Sequence, residues 1–152
     1  FGSIQENKKH SDFFKTFEIK GEQLKDQEIE IIGSMITDPK TEEEYAQNLK
    51  CAQDLLSLEN QKYNFLKDFS DYIADVGKRK KNQKLLTDAS HLKELSKSKY
   101  DLVKTYVNKI VEYHESRDDS FLNENDKIMS ELISISNEIT ETGDSIQSFF
   151  EK

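Results

Sequence analysis

The chain of 152 residues is 34% apolar and 34% charged, against roughly 45–50% and 25% in an average globular domain, which argues against a thick spherical core. A formal net charge of −8 and a pI near 5.0 argue against nucleic acid as the main partner, because phosphate binding needs a basic face. One Pro and five Gly leave helix almost uninterrupted, and a single Cys rules out an intrachain disulfide.

Phe14, Phe17, Leu24, Ile31 and Met35 follow a spacing of three and four, with Gly21 and Glu28 in the remaining places, and predict a first helix over about residues 10–36. Residues 1–9 are expected to be disordered, Phe1-Gly2-Ser3 reading as a cloning remnant. Asp38 as N-cap and Pro39 at the first helical position predict a second helix over about 39–77, with Thr41 and Glu44 offering a capping box as another start. Its stripe runs through Leu49, Ala52, Leu55, Phe65, Phe69 and Ile73 to Gly77, which is expected to be the C′ residue of a turn. A third helix is predicted over about 83–116, with Leu85, Ala89, Leu92, Val103, Val107 and Ile110 on its buried side. The turn at Arg117-Asp118-Asp119-Ser120 precedes a fourth, over about 119–150, in which Ile128, Leu132, Ile135, Ile139, Thr142, Ile146 and Phe149 form an unbroken heptad. Ile135 and Ile139, at its centre, are expected to be fully buried.

Short turns between long helices force antiparallel neighbours. The fold class is therefore an all-α, elongated, up-down-up-down bundle of four helices, a single domain over 1–152 and a monomer, because the middle stripes are wide enough to meet two partners each. The second and third helices outrun the first, and their hairpin is expected to project beyond the bundle. No window holds the roughly 18 apolar residues of a membrane span.

Chemistry has few footholds. Asp88, His91 and Glu94 supply one turn of metal-ligand spacing, but a di-iron bundle needs Glu-x-x-His from two helices. His91 reads as a surface residue, and His10 and His114 have less context still. Cys51 lies on the second stripe as a small core residue. Phe65, Phe69, Tyr72, Tyr100, Tyr106 and Tyr113 read as core aromatics. Neither a phosphate-binding glycine loop nor a nucleophile elbow occurs, so no catalytic residue, metal or cofactor is expected, and the chain is not read as an enzyme. The feature that departs from the average is the run Lys78, Arg79, Lys80 and Lys81, with Lys84 just beyond: from Gly77 to Lys84 there is no acid. On a projecting tip it is a candidate contact for an anionic polymer, lipid or acidic protein.

The Lys-rich helical texture, seen in SKYDLVKTY at residues 98–106 and VEYH at 111–114, resembles the small helical lipoproteins of low-GC Gram-positive bacteria, the cell-wall-binding lipoproteins of the YkyA type. The same texture occurs in spirochaete surface proteins and AT-rich eukaryotic parasites. The resemblance implies an extracytoplasmic protein tethered by a lipid on an upstream Cys, and it assigns no functional residue. The expected function is a binding or structural module at a bacterial cell surface, contacting a protein or anionic polymer. The alternative is the extracytoplasmic four-helix sensor domain of a membrane receptor.

Overall fold

The computed structural model describes residues 4–123 and 125–151. Four long helices, α1 Ile4–Gly33, α2 Glu42–Arg79, α3 Gln83–Ser116 and α4 Asn125–Phe150, are joined with one 3₁₀ turn, Asp119–Leu122, and no strand occurs among the described residues. The all-α class and the element order are those the apolar stripes predict. Several boundaries differ. Residues 4–9 are helical rather than disordered, because His10 extends the spacing of Phe14 and Phe17 back by one turn; residues 1–3 lie outside the described residues.

α2 begins after Thr41, not at Pro39. The Glu44 amide donates to Thr41 Oγ1 at 3.2 Å and the Thr41 amide to Glu44 Oε1 at 3.2 Å, satisfying two N-terminal donors at once. Buried Asn48 fixes the preceding connection: its side-chain oxygen accepts from the Ile36 amide at 2.7 Å, and its NH₂ donates to the Ile36 carbonyl at 2.9 Å. Gly77 is buried inside α2 instead of ending it. A Cβ there would lie 3.1 Å from Leu86 and 3.2 Å from Leu85, so the glycine admits the first turn of α3 at close range. The left-handed residue of that turn is Lys81, at φ 52°, and Asn82 caps α3 by accepting from the Leu85 amide at 3.1 Å. After α3, Arg117 is left-handed at φ 58° and the 3₁₀ turn intervenes, so α4 starts at Asn125 and not at residue 119.

Antiparallel order is visible at both ends. Lys80 Nζ lies 3.1 Å from Glu6 Oε1, Lys84 hydrogen-bonds Ser145, and Arg117 Nη2 is 2.8 Å from Glu42 Oε2. The first two contacts correct the expected projecting hairpin: α1 and α4 both reach the α2–α3 turn. α2 and α3 pack most extensively, α4 lies on α3 and α1 on α2, whereas α1 and α4 have few close backbone approaches.

The core consequently has two unlike halves. Toward the α2–α3 turn, Phe69, Ile73, Leu85, Leu92 and Ile146 are buried, with Phe13, Phe14 and Phe17 packed on them, so all four helices contribute. Further along, Ala52, Val107 and Ile110 are covered by Met35, Leu56, Val103 and Tyr106, and this cluster draws no side chain from α4 among the described residues. The α4 heptad reports the same asymmetry. Ile128, Thr142 and Ile146 are buried, but Ile135 and Ile139, expected to be the fully buried centre, are half-buried. No helix among the described residues is long and apolar enough to cross a membrane.

Candidate binding cleft

Where α1 and α4 stand apart, apolar side chains that a closed bundle would pair remain uncovered. Ile32, Met129 and Ile133 are 51%, 45% and 61% exposed, and all three line one cavity of about 470 Å³. Its floor is Leu55 and Leu58 of α2 with Val103 and Tyr106 of α3. A cavity of about 430 Å³ shares Ile32, Met35 and Tyr106 with it and continues toward Pro39 and His114. A further one, about 310 Å³, lies between Phe14 and Phe17 of α1 and Ile139 and Gly143 of α4. The first two adjoin, and the third lies further along the same α1–α4 side with no lining residue in common with them; together they mark the cleft.

Charges meet at mid-cleft. Lys62 contacts Glu28 Oε2 and lies 4.0 Å from Glu59 Oε2, while Lys99 Nζ is 3.4 Å from Glu59 Oε1. Glu59 is buried, and burying a carboxylate is costly unless it is paired and hydrogen-bonded. Burial, and after it the neighbouring Lys99 charge, pushes Lys62 down to about 7, although contact with the Glu28 carboxylate favours its ammonium form. Glu28, Glu59 and Lys99 themselves line the 470 Å³ cavity, giving an apolar cleft a polar waist.

The structure gathers Lys78, Arg79, Lys80 and Lys81 at one turn but does not leave them acid-free. Arg79 Nε is 3.2 Å from Asp75 Oδ2, and Lys80 faces Glu6, whose carboxyl is held below the usual range by that hydrogen bond. Lys84 pairs with Asp88 at 3.2 Å. Lys78 and Lys81 are exposed. A run without acids in sequence is thus interleaved with acids in space.

His91 is exposed, and Asp88 turns to Lys84 and to Ser145 Oγ, which donates to it at 2.8 Å. Among the described residues no three His, Cys, Asp or Glu side chains gather as a metal ion would require. Cys51 is buried on the α1–α2 side, away from the cleft, and burial pushes its thiol pKa up. Of the aromatics read as core, Phe69 is buried, while Tyr106 floors the cleft.

Sequence reasoning passed over His10 and the charged waist. His10 is 3% exposed, with Nδ1 2.6 Å from the Tyr72 hydroxyl and its ring edge-on to Phe150 at 5.2 Å. It sits four residues before Phe14, on the same stripe. Glu28 occupies a stripe position in α1, and Glu59 and Lys62 fall between Leu55 and Leu66 in α2. Charged residues at core positions were the available signal. No protein-family model, curated protein or solved structure matches the chain.

Proposed function

We propose that the chain is a non-enzymatic helical binding module whose ligand lies in the α1–α4 cleft. The observation that carries this reading is the exposed row of Ile32, Met129 and Ile133 over an apolar floor. Apolar surface left in water costs about 25 cal/mol per Å², and contiguous apolar patches on soluble chains usually mark interaction sites. A protein ligand suits this surface better than an anionic polymer, since Arg79 and Lys80 at the basic turn already face acids. A cell-surface setting and a lipid tether are supported by the resemblance at residues 98–106 and 111–114.

The test is binding of Nile red, a neutral apolar fluorophore, to the full chain. Blue-shifted emission is expected, together with a loss of affinity of about tenfold or more in Ile32→Asp/Ile133→Asp, whose exposed positions leave its circular dichroism unchanged. Absence of binding, or equal binding by the double variant, would overturn the reading. A small-ligand sensor domain is the second reading. It is favoured by the polar waist opening into a 470 Å³ apolar cavity, a size within the roughly 300–1,000 Å³ of small-molecule sites.

A further inference from the structure

We infer that the cleft takes a basic amphipathic α-helix of a partner protein, laid lengthwise between α1 and α4. This rests on the binding-module reading and names the occupant. The cleft's length is the first argument. Along α4, Asp126, Met129, Ile133, Asn137, Thr140 and Asp144 recur at spacings of three and four and are all exposed. At 1.5 Å per residue this rim is about 27 Å long. Along α1, Glu18, Glu22, Lys25, Ile29 and Ile32 form a matching exposed rim at the same spacing. A small molecule would fill one cavity and leave both rims in water. A helix, about 10 Å across, would cover the exposed Ile29, Ile32, Met129 and Ile133 together, with its own apolar side chains entering the cavities at i, i+3 or i+4, and i+7.

Charge supplies the second argument. The two rims carry Glu18, Glu22, Asp126 and Asp144, with Glu141 beside them, against one cation, Lys25, while at the waist Lys62 and Lys99 are matched by Glu28 and Glu59. Glu18 and Asp144 line the cavity between Phe14 and Ile139. Lysines and arginines flanking the partner's apolar face would meet carboxylates on both sides, whereas an acidic helix would be repelled. A second copy of this chain, with a net charge of −8, would set acidic rims against acidic rims.

The test titrates the full chain with three labelled synthetic peptides of about 18 residues, enough to span the rim. One is amphipathic Leu/Lys, one keeps the leucines but replaces Lys by Glu, and one keeps the lysines on a Gly/Ser background. The Leu/Lys peptide should bind at least about tenfold more tightly than either other, and less tightly as salt shortens the roughly 8 Å screening length. Asp126→Asn/Glu141→Gln/Asp144→Asn should weaken it about tenfold while Nile red binding is unchanged. Equal binding of the Gly/Ser/Lys peptide would reduce the effect to bulk charge and overturn the inference. So would equal binding of the Leu/Glu peptide, or no peptide binding, and in both cases retained Nile red binding would leave the binding-module reading standing. Loss of both signals sinks both. Self-association in sedimentation equilibrium that Ile133→Asp abolishes would make a second copy the occupant and also overturn it.

Discussion

Lys62 is the side chain at which the charged waist can be measured. Burial and the Lys99 charge bring it down from 10.5 to about 7 in the folded chain. Between those values the unfolded chain holds a proton that the folded chain has released. Stability contributed at this residue therefore rises with pH across the window and is lowest below about pH 7, where both states are protonated. The melting temperature of the parent should climb more steeply from about pH 7 to 9 than that of Lys62→Met, which has nothing to titrate there. Equal slopes would mean that Lys62 is an ordinary solvated lysine. The same residue shows how sequence misleads at this scale. Glu59 and Lys62 look like two members of a dense charged surface unless their register with Leu55, Leu66 and Phe69 is read, and the packing of α1 and α3 over them makes them interior. The basic turn errs the other way: the cations Lys78 to Lys81 are contiguous in sequence, while their acids arrive from Glu6 and Asp75.

Among the elements, α4 separates what periodicity can give from what it cannot. Its heptad correctly marks one face, but burial along that face depends on the neighbour. Ile146, fully buried in the four-helix half of the core, should cost about 2–5 kcal/mol on truncation to Ala. Ile135, half-buried at mid-helix, should cost distinctly less, and the two can be ranked by urea denaturation. Against a domain stability of about 5–15 kcal/mol the difference is easily read. If Ile135→Ala proved the more damaging, α4 would be packed more tightly at its centre than in the four-helix half of the core. Helix starts were legible where the capping chemistry was complete. Thr41 with Glu44 satisfies two donors, whereas Asp38 with Pro39 offers a single cap, so the reciprocal pair sets the boundary.

For the whole molecule, four stripes and three short connections suffice to give an antiparallel bundle, because each helix has only one way to remove its apolar face from water. They do not say which pair of helices stays apart. That depends on how deeply Gly77 lets α3 approach α2 and on where α1 docks, properties of side-chain shape at a distance. The stripes consequently single out neither rim of α1 and α4, although Ile29, Ile32 and Ile133 stand in the sequence as apolar residues off the main stripes. The most direct measurement of the central claim is amide hydrogen exchange of the full chain with and without the Leu/Lys peptide. Protection is expected along residues 18–32 of α1 and 126–144 of α4, with little change at the α2–α3 turn. Protection confined to residues 77–84, or no protection at saturating peptide, would contradict the assignment of the α1–α4 cleft as the binding surface.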